Sequence, residues 1–272
     1  MNLNQTREIL ESAVRKGGRV LMEQYGKVAG VKVKESISSV VTDADIASEN
    51  AIIEILEKTP FPCNIISEEA GYMNRSSRFT WVVDPLDGTS NFAAGLPWFG
   101  IIIALLQDGI PLLGAMYLPV DDHLYFAERE KGAWKNNQII RTTSSDILED
   151  QLIAYSFDFS DDPGKTSREM ALLKRLSTRV RNTRSTNSLI DLCFTADGRL
   201  GAAINQSTKI WDIAGSSLII TEAGGTVTDI RGTEIRFDLS PGSVSRNYTI
   251  VAAGRGIHSA LTRIIDDHQD RE

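Results

Sequence analysis

The chain has 272 residues, enough to bury a sizeable core as one large domain or two lobes, and its 42% apolar and 24% charged content is that of an ordinary globular protein. With 29 Lys+Arg against 36 Asp+Glu the net charge is −7, which repels phosphate backbones and anionic lipid and argues against nucleic acid or a membrane as partner. Cys63 and Cys193 stand far apart in apolar surroundings and read as buried free thiols, which fits a reducing, cytoplasmic setting.

Ile9, Ala13, Val14, Val20 and Leu21 recur at helical spacing ahead of Gly26, which predicts an amphipathic first helix with a glycine just past its end. No run has the apolar length of a signal h-region or a membrane helix, so neither Sec export nor membrane spanning is expected. "VKVKES" predicts a short strand, and "TDADIASENAIIEILEKTP" a helix with Thr42 at its N-cap and Pro60 beyond its end. "CNIIS" and "FTWVVD" read as strands, and Phe99 to Glu128 as an antiparallel meander broken at "QDGIP" and "PVDDH". After "RTTSSDILED" the pattern alternates: strand "LIAYSF", helix "KTSREMALLKRLS", helix "SLIDLCFTADG", strand "GAAIN", helix "WDIAGSSLIITEAGG", strands "TVTDI" and "YTIVAAG", and helix "IHSALTRIIDD". The expectation is an α/β (α+β) chain with an antiparallel N-terminal sheet, a mostly parallel C-terminal sheet, and lobes at 1–145 and 146–272.

"WVVDPLDGTSNF" ends a strand with Asp84, and one following helical turn would bring Asp87 to the same side. Two carboxylates held together repel and want a cation, and a carboxylate cluster without histidine suits a hard ion such as Mg²⁺. The same stretch also fits a helix start whose N-terminal acids favour the dipole. "ISEEAG" adds Glu68 and Glu69, and "TKIWDIAG" adds Asp212 ahead of Ala214, Gly215 and Ser216, small residues that let a ligand or a neighbouring backbone come close. Thr42 and Asp45 in "TDAD" have the spacing of a capping box. His123, His258 and His268 lie outside every acidic block and are expected at the surface. The chain has no GxxxxGK[ST], GxSxG, HExxH or CxxC, so P-loop, serine-hydrolase, zinc-peptidase and dithiol chemistries lack their parts.

Taken together, "VVTDAD", "SEE", "WVVDPLDGTSNF" and "WDIAG" with "TEAGG" resemble, in order and spacing, the inositol monophosphatase family of Mg²⁺-dependent, lithium-sensitive phosphatases. The resemblance implies a layered αβαβα sandwich and two or three Mg²⁺ ions held by Glu68, Asp84, Asp87, Asp212 and the Leu86 carbonyl. It implies catalytic roles for Glu68 and for Thr89 with Asp45, a pair that activates water, and phosphate contacts from Gly88 and Thr89. It also implies a small phosphorylated metabolite as partner and a homodimer. Relatives that favour inositol monophosphate carry a G[ST]A stretch and an acid seven residues before the later aspartate. Here those places read Thr186, Asn187, Ser188 and Asn205, which argues against inositol monophosphate as the preferred substrate. Ser188, Asn205, Asp212 and Arg184 are expected to contact substrate, with Lys34 and Lys209 as further candidate cations. Fructose 1,6-bisphosphate, histidinol phosphate and 3′-phosphoadenosine phosphates are alternative substrates, and a non-catalytic regulatory role is the alternative of a different class.

Overall fold

The computed structural model describes residues 3–27, 32–33, 40–158 and 160–269. The first half runs α1 (Leu3–Gln24), β1 (Lys32–Val33), β2 (Val40–Val41), α2 (Asp43–Leu56), β3 (Asn64–Ser67), β4 (Gly71–Met73), β5 (Phe79–Asp87), α3 (Thr89–Ala93), β6 (Gly100–Gln107), β7 (Ile110–Leu118), β8 (His123–Glu128), β9 (Gly132–Lys135) and β10 (Gln138–Ile139). The second runs β11 (Leu152–Ser156), α4 (Pro163–Ser177), β12 (Asn182–Arg184), α5 (Leu189–Ala196), β13 (Ala202–Thr208), α6 (Ile210–Glu222), β14 (Gly225–Thr228), β15 (Tyr248–Gly254) and α7 (Arg255–Gln269). Only the Lys32–Val33 part of the "VKVKES" strand is described, and Lys34 lies outside the described residues.

Eight strands form the first sheet in the order β10-β9-β8-β7-β6-β5-β3-β4, and five form the second in the order β12-β11-β13-β15-β14. Helices α1 and α2 cover one face of the first sheet, α5 and α6 fill the space between the sheets, and α4 and α7 cover the far face of the second. The expected layered sandwich is therefore present. Three apolar clusters fill the interfaces between its layers: Leu10, Val14, Leu21 and Ile52 against Trp81 and Ile101; Ile102, Met116 and Tyr125 of the first sheet and Ala203 and Ile250 of the second around Ile190, Trp211 and Ile219; and Tyr155, Ile204 and Val251 against Leu172, Leu176 and Leu261. Position 145 lies between β10 and β11, and the middle apolar cluster joins residues from both halves of the chain.

Two expectations of strand direction are corrected. In the first sheet β3 pairs with β5 in parallel while the other pairs are antiparallel, because the β3–β4 hairpin reverses the chain at the sheet edge before β5 returns on the other side of β3. The second sheet is mixed rather than mostly parallel: β11 pairs with β12 and β13 in parallel, but β15 inserts antiparallel between β13 and β14. The connection from β14 to β15, residues 229–247 with a 3₁₀ turn at Pro241–Ser245, returns the chain antiparallel on the same edge, whereas a parallel neighbour needs a crossover.

The small residues of α6 also resolve between their two readings. Gly215 packs on β7 so closely that a Cβ on Gly114 would fall 2.7 Å from the Gly215 carbonyl oxygen. The run admits a neighbouring backbone, which seats α6 on the first sheet and fixes where its N-terminal acid points. Among the described residues no helix is long and apolar enough to cross a membrane, and Cys63 and Cys193 are buried free thiols as expected.

Candidate active site

Asp84 and Asp87 share one side of the first sheet by a route different from the expected helical turn. Both belong to β5, where Asp84 pairs with Ile102 and Asp87 with Gly100 of β6, so three steps along β5 match two along its partner. Side chains alternate along a strand, and positions three apart would face opposite ways; the one-residue bulge restores the same face. Pro85 sits in the bulge, where its missing N–H removes nothing from the ladder. Gly88 follows at φ 84°, and a Cβ there would meet the Trp98 carbonyl at 2.5 Å and Ser188 at 3.1 Å, so only glycine fits this turn into α3.

Asp212 joins them from the second half of the chain. It stands in the first turn of α6, where its Oδ2 accepts from the Lys209 N–H (2.7 Å) and the Thr208 hydroxyl (2.6 Å). One carboxylate oxygen from each of Asp84, Asp87 and Asp212 lies within 4.8 Å of the others. Glu68 is outside that trio but lines the same cavity, of about 700 Å³, and its charge bears on Asp84 and Asp87. Burial first, then the facing carboxylates, push Asp84 and Asp87 well above the usual carboxylate range, and burial raises Asp212. An all-oxygen set of mutually repelling carboxylates, with Asp84 buried and Asp87 and Asp212 half-buried, is the donor chemistry of a hard divalent cation.

Helix α2 anchors this centre with three side chains. The Thr42 and Asp45 spacing is a capping box in fact, with the Thr42 N–H donating to Asp45 Oδ2 at 2.8 Å and the Ala44 N–H to Thr42 Oγ1 at 3.2 Å. The second Asp45 oxygen accepts from Thr89 Oγ1 at 3.0 Å, so one acid caps its own helix and reaches the residue after the "DPLDG" bulge. Thr89 Oγ1 is also 3.0 Å from the Leu86 carbonyl, which gives its single proton two acceptors. Ser48 donates to the Pro85 carbonyl at 2.8 Å, fixing the bulge from above. Burial raises Asp45, against the hydrogen bonds from Thr42 and Thr89 that lower it.

Glu49, which sequence reasoning missed, is 4% exposed and accepts from the backbone N–H groups of Glu69 (3.1 Å) and Ala70 (3.0 Å) and from the Ser67 hydroxyl. It thereby orders the turn that carries Glu68. Its signal was present: Asp45, Glu49, Ile52 and Leu56 share the buried face of one helix, and an acid on an apolar face needs donors. Asp191, also missed, is a buried acid on α5.

Of the expected substrate contacts, Ser188, Asn205 and Lys209 line the cavity, together with Asp158, Asn187 and Asn247. Asn205 turns its Oδ1 to the Ser207 N–H at 2.8 Å, and the Lys209 Nζ donates to the Ser245 carbonyl at 3.1 Å. Arg184 is not in the lining; its guanidinium turns back to the Thr183 carbonyl at 2.7 Å. His258, expected at the surface, is 7% exposed with its Nε2 3.0 Å from Thr228 Oγ1. It lies on the face of α7 that packs against the second sheet, where that hydroxyl satisfies the ring. His123 is half-buried.

The family model that matches the chain, over residues 2–270, is that of the inositol monophosphatase family. The Nus factor SuhB of Haemophilus influenzae is 32% identical over 265 residues, covering 96% of each chain. The fructose-1,6-bisphosphatase/inositol-1-monophosphatase of Aquifex aeolicus is 28% identical, covering 99% of this chain and 98% of its own. Among solved structures, the extragenic suppressor protein suhB from Bartonella henselae superposes with a TM-score of 0.86 at 31% identity, covering 96% of this chain and 98% of that one.

Proposed function

Because the chain belongs to the inositol monophosphatase family, we propose that it is a Mg²⁺-dependent phosphatase that hydrolyses a small soluble phosphomonoester by activating a water, without a covalent enzyme intermediate. The observation that carries this reading is the Asp84, Asp87 and Asp212 trio within 4.8 Å, with the Thr89–Asp45 pair beside it. The trio, with Glu68 and the Leu86 carbonyl, would hold two or three Mg²⁺. When bound, such ions lower the pKa of a coordinated water and stabilise charge on the attacking and leaving oxygens.

The chain's own residues supply the rest. Thr89 gives its one proton to Asp45, which leaves the hydroxyl oxygen to accept a hydrogen bond from the attacking water and orient it; Asp45, raised by burial, is the group toward which that proton moves. The backbone N–H groups of Gly88 and Thr89 offer donors to the phosphate oxygens. Helix α3 has five residues, so this hold comes from the amides themselves more than from a long dipole.

On the substrate side, the Asn205 oxygen accepts from the Ser207 N–H, and Asn205 lines the cavity with an amide in place of the carboxylate acceptor that grips a vicinal diol. That favours a substrate other than inositol monophosphate, with fructose 1,6-bisphosphate, histidinol phosphate and 3′-phosphoadenosine phosphates as alternatives. The resemblance carries with it a homodimer, while the free cysteines favour a cytoplasmic setting and the net charge of −7 disfavours nucleic acid and anionic lipid as partners. The name of the Haemophilus influenzae relative, a Nus factor, favours a second reading in which the chain has a regulatory role. A phosphate-release screen of those compounds and inositol monophosphate, with and without Mg²⁺, separates the two. Mg²⁺-dependent release from at least one supports the phosphatase, and release from none favours the regulatory reading.

A further inference from the structure

The turn formed by Thr186, Asn187 and Ser188 places Asn187 and Ser188 in the lining of the cavity that Asp87 also lines, and side chains from three other places hold it. Asp191 Oδ2 accepts from the Thr186 N–H at 3.1 Å and from the Ser156 hydroxyl of β11 at 3.2 Å. Asn91 of α3 donates its Nδ2 to the Thr186 carbonyl at 2.9 Å, and Asp158 accepts from Asn187 Nδ2 at 2.7 Å. Asn187 sits at φ 51°, in the left-handed region that asparagine tolerates better than other side-chain-bearing residues but less freely than glycine. These hydrogen bonds select one shape for the turn.

The shape matters at the residue after it. Leu189 N–H donates to Asp87 Oδ1, a link across the two halves of the chain, and Ser188 packs against Gly88 where a Cβ would intrude. Asp191 is 4% exposed and, among the described residues, its Oδ1 has no hydrogen-bond partner, so the carboxylate's bonds to the described residues are all made through Oδ2. An apolar residue at the same place would fill the space but leave the Thr186 N–H without its acceptor.

We propose that Asp191 is a positioning residue: by fixing the turn at Thr186 it sets where the Leu189 N–H meets Asp87, and so couples the wall that reads the substrate to a carboxylate that holds the metal. The coupling, which rests on the reading of Asp87 as a metal ligand, acts in both directions. A loosened turn weakens metal binding and substrate recognition together.

The test uses the full chain and two readouts, the Mg²⁺ concentration that gives half the maximal thermal shift and the KM of the best substrate found. Asp191→Ala should raise the Mg²⁺ midpoint about tenfold, the usual effect of removing a group that orients a metal ligand, and raise KM. Asp191→Asn, which keeps an acceptor for Thr186, should recover most of both. Asn91→Ala, which loosens the same turn from its carbonyl side, should move both readouts in the same direction and keeps the test decisive if Asp191→Ala does not fold. A lowered Tm in these variants with unchanged Mg²⁺ midpoint and KM would show a purely structural role and overturn the coupling alone. A wild-type chain without any Mg²⁺-dependent shift would overturn the metal reading and the coupling with it.

Discussion

Asp45 and Thr89 are separated by 44 positions in the chain and by 3.0 Å in the fold, where a helix-capping carboxylate accepts the hydroxyl of the residue that follows the bulge. The pair predicts that Thr89→Ala lowers kcat by about 10²-fold or more while moving the Mg²⁺ requirement little, since the role proposed for the hydroxyl is to orient water and not to hold metal. Asp45→Asn should lower kcat similarly and also cost stability, because the capping box with Thr42 is altered, typically by about 1 kcal/mol. Kinetics over a Mg²⁺ series and thermal melts check both. Large shifts in metal affinity with kcat preserved at saturation would contradict the assigned roles.

Asp84 is 2% exposed, receives the Leu86 N–H at 3.0 Å, and faces both Asp87 and Asp212. Asp84→Asn removes one negative charge from a self-repelling trio, so the metal-free fold should be no less stable than the wild type. Turnover should fall by several orders of magnitude, because the site loses a carboxylate that no neighbour replaces. Near wild-type turnover at saturating Mg²⁺ would remove Asp84 from the ligand set.

The raised carboxylates give a pH dependence with a definite sign. Asp84, Asp87 and Asp212 hold their protons more tightly in the metal-free fold than in the unfolded chain. Their contribution to stability is therefore full below the unfolded carboxylate range and lost as pH rises through the folded values. Mg²⁺ competes with those protons and replaces the repulsion with attraction, so the rise in Tm on adding Mg²⁺ should be larger at pH 8 than at a pH just above the ordinary carboxylate range, about pH 5. Taking the difference with and without Mg²⁺ at each pH cancels other titrating groups such as the buried His258. An equal or smaller rise at pH 8 would count against metal binding by this trio.

The acids of the site were legible in the sequence because Glu68, Asp87 and Asp212 sit at or next to element ends and Asp84 precedes the proline at which the apolar run of β5 stops. How Asp84 and Asp87 meet was not, since a bulge is a property of pairing with β6 and leaves no mark in "DPLDG" beyond the proline. Strand positions in the second half were readable, yet the insertion of β15 between β13 and β14 was not, because local pattern carries no direction. Glu49 and Asp191 escaped for a shared reason. Each looks like an ordinary helix acid until the fold brings backbone N–H groups to it from the 67–70 turn and from Thr186.

Substrate choice is open to a direct test at Asn205. Its Oδ1 accepts from the Ser207 N–H where β13 departs from regular pairing with β15, and Asn205 lines the cavity with an amide in place of a carboxylate. Asn205→Glu places a longer, charged acceptor there, the kind of group that accepts from neighbouring hydroxyls of a cyclic polyol. The variant should improve kcat/KM for inositol monophosphate relative to the natural substrate. One hydrogen bond to a charged acceptor is worth about 1.5–3 kcal/mol, and the Thr186–Ser188 turn, still held by Asp191 and Asn91, keeps its own shape and limits the gain. The Mg²⁺ requirement should not move, because Asn205 lies outside the trio of carboxylates. Kinetics of both proteins on both substrates decide the matter. An unchanged preference, or a wild-type enzyme that already favours inositol monophosphate, would show that Asn205 does not set the choice.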